Sequence, residues 1–70
     1  MRIFVSQSSV CSDYIELTDT QFHHVSRVLR IKSGDCLDVV IDQESVIIVE
    51  FISFQGYFLY YKLIQKKTIS

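Results

Sequence analysis

The sequence predicts a small, mainly β domain: a partly closed barrel of about five to six mostly antiparallel strands with one short inserted helix. Short runs of β-branched and aromatic residues are separated by brief polar connections along most of the chain. One stretch between the second and third runs has the periodicity of a helix. Proline is absent, which suits uninterrupted strands. An open α+β sandwich is the alternative that this pattern leaves open.

The predicted strands follow the apolar runs in chain order. The first two flank a polar segment rich in turn-forming residues, and the third alternates with the period of a half-buried strand. The last two are apolar on both faces and form a hairpin across a connection at Ser53–Gly56. The strands are predicted at Arg2–Val5, Tyr14–Leu17, Cys36–Ile41, Val46–Ile52 and Tyr57–Gln65.

A helix is predicted over about residues 19–31 because both of its ends carry signals. The Thr18 side chain can accept a hydrogen bond from the Gln21 amide while the Gln21 side chain accepts one from the Thr18 amide, which is a capping box. Basic residues near the other end suit the helix dipole. Gly34 is predicted to take the left-handed conformation that ends the helix.

This helix has two faces of different chemistry when its residues are placed at about 100° intervals. The apolar arc is predicted to pack on the barrel and contains Phe22, Val25, Val28 and Leu29. The opposite side carries His23, Arg27 and Arg30, at i, i+4 and i+7 spacing. His24 lies near the boundary between the two faces.

The composition limits the classes of function. The 70 residues form one small domain, and the net charge of −1 means that any nucleic-acid binding must come from a local basic patch. The apolar window at 46–64 is interrupted by polar residues and rich in β-branched and aromatic ones, which favours strands over a membrane helix. Cys11 and Cys36 match no metal or redox spacing and follow no secretory signal, so we expect free thiols in a cytoplasmic protein.

The sequence predicts no catalytic, cofactor-binding or metal-binding residue. His23 and His24 are adjacent and point about 100° apart on a helix, whereas zinc ligands on one helix need i, i+3 or i+4 spacing. No Cys or Ser is paired with a recognisable base. The aspartates after the helix are expected to cap backbone groups at turns and strand starts; they are Asp35, Asp38 and Asp42.

A cluster of cations is the candidate binding group. Arg27, Arg30 and Lys32 lie close together in the sequence, and guanidinium groups match phosphate oxygens bidentately. A helix end can also hold several cations in fixed register. Charges on the outer face of an amphipathic helix are often simply solvated, so the residues alone leave both a phosphate-binding patch and a solvated face open.

The segment HHVSRVLRIKSGD resembles the signature HH-x-x-x-VLR-x-K-x-GD of the N-terminal domain of ribosomal RNA small subunit methyltransferase E. The MRIFV opening and the Leu17–Thr18 lead-in resemble that domain too. The resemblance implies a PUA-like β-barrel over residues 1–70 that binds small-subunit ribosomal RNA. The resemblance implies that the basic residues of the motif contact the RNA: His23, Arg27, Arg30 and Lys32. Val28, Leu29 and Gly34 would be structural.

The same resemblance implies a C-terminal SPOUT methyltransferase domain in the full-length protein. That domain would bind S-adenosylmethionine, methylate N3 of a uridine in 16S ribosomal RNA, and dimerise. None of it lies in these 70 residues, so the chain alone is expected to have no activity. The chain departs from the family at Asp42–Ser45, where an Asp-Gly turn is usual, and in its unusually aromatic tail.

A rival hypothesis rests on that tail. Aromatic rings on both faces of the last strand exceed what one side of a small barrel needs. These rings belong to Tyr57, Phe58, Tyr60 and Tyr61. In this hypothesis the chain is a protein-interaction or dimerisation module that docks through its aromatic C-terminal hairpin, and RNA contact is incidental.

Overall fold

The computed structural model describes residues 1–68. Its strands are β1 (Arg2–Val5), β2 (Tyr14–Glu16), β3 (Cys36–Ile41), β4 (Ser45–Gln55) and β5 (Phe58–Thr68). A 3₁₀ turn at Gln7–Ser9 lies between β1 and β2, and helix α1 (Asp19–His23) runs directly into a π-helical turn at His24–Val28. The last two residues of the predicted domain, 69–70, lie outside the described part.

The five strands form one mixed sheet that curls into a half-barrel. Their order across the sheet is β1-β3-β4-β5-β2. Strand β1 lies parallel to β3, and the other neighbouring pairs are antiparallel. The chain between β1 and β3 contains β2 and the helix, which gives it the length that a parallel crossover needs. The predicted class is confirmed: the fold is mainly β, with mostly antiparallel strands and one short helix.

The β4–β5 hairpin is longer than predicted. Ser53 and Gln55, placed by the sequence in the connection, pair with Tyr60 and Phe58 as part of the ladder. The turn narrows to residues 56–57, where Gly56 has a φ of 61° that favours glycine. Two register shifts interrupt the ladder, and bulges of this kind bend a strand and increase its twist.

The core lies on the inner face of the curled sheet. Burial alternates along β1, where Ile3 and Val5 are buried while Arg2 and Phe4 point outward. The helical segment covers one end of this face through Val25. Burying one such aliphatic side chain contributes about 1.5–3 kcal/mol. The buried cluster consists of Ile3, Val5, Ile15, Leu17, Val25, Ile31, Leu37, Val39, Ile41, Ile47, Val49, Phe51, Leu59 and Tyr61.

The predicted start of the helix is confirmed. The Thr18 hydroxyl oxygen accepts a hydrogen bond from the Gln21 amide at 3.1 Å, and Oε1 of Gln21 accepts one from the Thr18 amide at 2.9 Å. Val25 is fully buried, and Phe22 and Leu29 pack partly buried against the core. Three of the four residues predicted for the core-facing arc therefore contact the core.

The prediction that Val28 faces the core is wrong, because its side chain is 62% exposed. After His23 the backbone changes from α-helical to π-helical, and the Leu29 amide donates to the carbonyl of His24 at 2.9 Å. A π-helical turn is wider than an α-helical turn, so the spacing of about 100° per residue fails beyond His24. The helical segment ends at Val28 and not at the predicted residue 31.

The helix is also ended by a different residue from the one predicted. Arg30 takes the left-handed conformation, with a φ of 52°, and the Ile31 amide donates to the carbonyl of Val25 at 3.3 Å. Gly34 has a φ of 96° but belongs to a later turn, where its amide donates to the carbonyl of Phe51 at 2.8 Å. A left-handed backbone costs a residue with a Cβ roughly 1–2 kcal/mol. Burial of Ile31 in the core offsets that cost.

Candidate nucleic-acid interface

The Gln21 side chain fastens the helical segment to the sheet. Its Oε1 closes the capping box with Thr18, and its Nε2 donates to the Phe4 carbonyl of β1 at 2.8 Å. Strand β1 is an edge strand, so this hydrogen bond satisfies a carbonyl that no neighbouring strand reaches. The sequence offers no local signal for this contact, because Phe4 and Gln21 are 17 residues apart.

Aromatic contacts hold the other side of the helical segment against the tip of the hairpin. The Phe22 ring lies 5.0 Å from that of Phe54 and 5.1 Å from that of Tyr57, both in edge-to-face geometry. The Tyr57 hydroxyl donates to Oδ1 of Asp19 at 2.9 Å. This hydrogen bond and the charge of Asp19 raise the pKa of Tyr57 above its ordinary value. The helix is therefore fixed to the edge strand β1 and to the tip of the β4–β5 hairpin.

All four residues predicted to contact RNA have exposed side chains. His23 ends α1, Arg27 lies in the π-helical turn, and Arg30 is the left-handed residue that follows it. Lys32 begins the next turn, where its backbone amide donates to Oδ2 of Asp35 at 2.8 Å. The structure thus places the four on one helical segment and the turn after it.

The three cations of this group are not neutralised by neighbouring acids. Within residues 1–68 the only ion pair joins Arg2 to Asp38, at 3.6 Å. No described carboxylate therefore lies within 4.0 Å of Arg27, Arg30 or Lys32. Unpaired guanidinium groups in fixed register are available to bind phosphate oxygens.

The nearby aspartates interact with backbone amides and with Arg2, and not with the cations of the candidate site. Oδ2 of Asp35 caps the Lys32 amide, and Oδ2 of Asp42 accepts from the Gln7 amide at 3.2 Å. Asp38 pairs with Arg2 across the parallel strands β1 and β3. Asp35 and Asp42 thus have the capping role that the sequence predicts for them.

His24 contributes to the surface through its side chain and to the fold through its backbone. Its amide donates to Gln21 and Thr20 carbonyls, and its carbonyl accepts the first hydrogen bond of the π-helical turn. The exposed imidazole lines an open hollow between α1 and β1, together with the outward face of Phe4. Sequence reasoning missed Phe4, although the alternation of β1 places it opposite the buried Ile3.

Other classes of site find little support in the described part of the chain. No group of three or more His, Cys, Asp or Glu side chains there could hold a metal ion. Both cysteines, Cys11 and Cys36, are free thiols. No helix among residues 1–68 is sufficiently long and apolar to cross a bilayer.

Comparison with known proteins finds similarity of structure and not of sequence. No protein-family model and no curated protein matches the sequence. A probable rRNA-methyltransferase from Porphyromonas gingivalis has a TM-score of 0.72 at 21% identity, over 96% of this chain and 27% of its own. A protein from Legionella pneumophila, assigned as a methyltransferase and solved with the cofactor SAM bound, has a TM-score of 0.70 at 17% identity, over 93% of this chain and 27% of its own.

A third solved protein, described as hypothetical, has a TM-score of 0.72 at 19% identity, over 93% of this chain and 28% of its own. At these identities the comparison shows the fold alone. The chain spans a little more than a quarter of the length of each of these proteins. The fold is therefore one that occurs as part of larger proteins, two of which are described as methyltransferases.

Proposed function

We propose that this chain is the RNA-binding N-terminal domain of a 16S ribosomal RNA uracil-N3 methyltransferase, related to ribosomal RNA small subunit methyltransferase E. Its PUA-like barrel positions small-subunit ribosomal RNA for methylation by a C-terminal SPOUT domain. The observation that carries this proposal is the exposed, unneutralised group of Arg27, Arg30 and Lys32. It lies on a fold shared with a probable rRNA-methyltransferase.

The chemistry of binding follows from the positions of the cations. The guanidinium groups of Arg27 and Arg30 bind phosphate oxygens of the RNA backbone, and the ammonium of Lys32 adds a further positive charge. The exposed imidazole of His23 donates a hydrogen bond to a phosphate or sugar oxygen. Contacts of this type set the position of the RNA and do not read its sequence.

The chemical step is assigned to the rest of the protein. The hollows on residues 1–68 are open surface depressions, so none of this chain's residues is proposed to hold S-adenosylmethionine. The cofactor and the methyl transfer belong to the SPOUT domain in cis, and the full-length protein is proposed to be a cytoplasmic homodimer. This chain's contribution is to raise the local concentration of the target RNA at that domain.

The binding proposal is tested with two double variants of the 70-residue chain. Arg27→Ala with Arg30→Ala removes two cations from the helical segment, whereas Lys66→Ala with Lys67→Ala removes two exposed cations from β5. We expect the first pair to weaken binding of small-subunit ribosomal RNA fragments by about tenfold or more and the second to have little effect. Equal affinities for the two double variants would overturn the contact assignment.

The methylation proposal needs a measurement in cells. The same two pairs of substitutions are placed in the chromosomal gene, and N3-methyluridine in 16S ribosomal RNA is measured by mass spectrometry. We expect the modification to fall with the Arg27 and Arg30 substitutions and to persist with those at Lys66 and Lys67. If 16S ribosomal RNA from cells with the wild-type gene lacks N3-methyluridine, the proposed reaction is wrong, and the RNA-binding proposal is unaffected.

A protein-docking role is the second candidate, and it is favoured by exposed aliphatic residues on the hairpin. Ile52 of β4 and Leu63 and Ile64 of β5 each expose about half of their surface. Two of the four aromatic rings that prompted this hypothesis are used internally, because Tyr60 packs on Tyr14 and Tyr61 is buried. Sedimentation decides between the candidates: a dimer that Leu63→Glu dissolves, without RNA binding at low salt, favours docking.

A further inference from the structure

An open hollow of about 330 Å³ lies between the edge strand β1 and helix α1. Its walls are mostly apolar, and its largest exposed apolar element is the ring of Phe4, which is 60% exposed. His24 forms part of the opposite wall, from the helix. The lining residues are Arg2, Ile3, Phe4, Thr20, Gln21 and His24.

Phe4 occupies a position where a polar residue is the usual choice. Its neighbours Ile3 and Val5 point into the core, so Phe4 is on the outer face of an edge strand. Its register partner on β3, Val40, is buried even though it lies on the same outer face. One side of the Phe4 surface therefore lies toward apolar neighbours, while the larger part of the ring remains available to a ligand.

The two walls of the hollow are held at a fixed separation. The hydrogen bond from Nε2 of Gln21 to the Phe4 carbonyl joins α1 to β1 directly beside the hollow. The capping box holds Gln21 itself, through two hydrogen bonds to Thr18. A ligand that enters between Phe4 and His24 thus meets a preformed site, and little conformational freedom is lost on binding.

The charges around the hollow suit a single-stranded nucleic acid. Arg2 stands at one rim, where Asp38 partly neutralises it. His23 adjoins His24 in the chain, and Arg27 follows on the next turn of the same helical segment. A flat apolar ring beside a track of hydrogen-bonding and cationic side chains is the arrangement that binds an unstacked base and its phosphates.

We propose that this hollow is a base-stacking subsite, in which one unpaired nucleobase of the bound RNA lies on the ring of Phe4. The His24 imidazole donates or accepts a hydrogen bond at the edge of that base. The RNA backbone continues from the subsite to His23 and Arg27. This inference rests on the proposed RNA-binding function and adds to it a contact to a base and a role for His24.

The first experiment uses tryptophan fluorescence, because the chain contains no tryptophan. Phe4→Trp places a single indole in the hollow, and Phe58→Trp is the matched control on β5, at the far side of the sheet. A short oligouridine is expected to quench the Phe4→Trp variant by stacking and to leave the Phe58→Trp variant unchanged. An abasic oligomer of the same length should quench neither. Equal quenching of both variants would overturn the subsite.

The second experiment measures affinity. Phe4→Ala should weaken binding of the oligouridine by about tenfold and leave binding of the abasic oligomer unchanged, whereas Phe4→Tyr should retain both. His24→Ala should also weaken only the oligouridine. Phe58→Ala is the control for loss of an exposed ring, and the melting temperature of each variant monitors folding.

The outcomes separate the subsite from the function on which it rests. If Arg27→Ala with Arg30→Ala weakens the oligouridine and Phe4→Ala does not, the subsite is wrong and the RNA-binding proposal stands. If the unmodified chain binds neither oligomer at low salt, both proposals fail. If the Phe4→Ala variant binds the oligouridine more weakly and binds the abasic oligomer as before, the result supports both the subsite and the RNA-binding proposal.

Discussion

The segment 18–35, which comprises the helical segment and the turn after it, and the β4–β5 hairpin are two unlike regions of the molecule. The hairpin is a continuous ladder with two register shifts, and its buried Tyr61 donates its hydroxyl proton to the Cys11 carbonyl. The segment 18–35 contains a π-helical turn and the left-handed Arg30, and its cations have no described acidic partner. The hairpin supplies packing, and the irregular segment presents the groups that are free to bind.

The backbone around Arg27 and Arg30 is irregular in two ways. The π-helical turn moves Val28 out to solvent beside Arg27, and the left-handed residue after it is itself an arginine. π-helical turns and left-handed residues other than glycine are found preferentially at functional sites. The two irregularities therefore support the proposal that this segment is the binding surface.

The largest effect should come from the hairpin core. Leu59→Ala removes a side chain with no exposed surface and should lower the free energy of unfolding by about 2–5 kcal/mol. Leu63→Ala is the matched control, since Leu63 lies on the same strand but is 51% exposed, and its effect should stay within about 0.5 kcal/mol. Denaturant unfolding monitored by circular dichroism measures both. Equal decreases in the free energy of unfolding for the two variants would contradict the assignment of Leu59 to the core.

A smaller effect is expected at the start of the helix. Thr18→Ala removes the hydroxyl that caps the Gln21 amide and should cost about 1 kcal/mol. Thr20→Ala is the control, because Thr20 is exposed on the same helix. Thermal unfolding of the two variants measures the difference. If the melting temperatures of Thr18→Ala and Thr20→Ala both equal that of the wild type, the capping box does not stabilise the helix.

The contact between the two regions should show a pH dependence. The pKa of Tyr57 is raised above 10.0 by its hydrogen bond to Asp19, so the bond stabilises the fold below about pH 10 and is lost as the pH rises through the raised pKa. Tyr57→Phe should therefore lower the melting temperature slightly at neutral pH, and the difference from wild type should shrink in strong base. Tyr60→Phe serves as the control. If the difference in melting temperature between Tyr57→Phe and wild type is the same at neutral pH and in strong base, the hydrogen bond from Tyr57 to Asp19 does not stabilise the fold.

Local sequence patterns predicted the five strands and the start of the helix, and gave the observed limits for β1 and β3. The alternation of Cys36–Ile41 predicts β3 with its observed limits, and the Thr18–Gln21 pair predicts the observed capping box. Both depend on residues close together in the chain, where local geometry decides the outcome.

What the sequence could not predict depends on tertiary contacts. The exposure of Val28 follows from a π-helical turn, and a helical wheel assumes an α-helix throughout. Gly34 has the positive φ that was expected of it, but the residue that ends the helical segment is Arg30, whose left-handed conformation precedes the buried Ile31. The hollow beside Phe4 joins two elements through Gln21, and no pattern within either element indicates it.

We propose that Arg27, Arg30 and Lys32 bind phosphates, and the salt dependence of RNA affinity is the most direct test of this binding. Three phosphate contacts on single-stranded RNA predict a slope of about −2 for log affinity against log salt concentration. Arg27→Ala with Arg30→Gly leaves one contact and predicts a slope of about −0.7, while the glycine suits the positive φ and preserves the fold. Equal slopes and equal affinities for the wild type and this double variant would mean that Arg27 and Arg30 do not bind RNA phosphates.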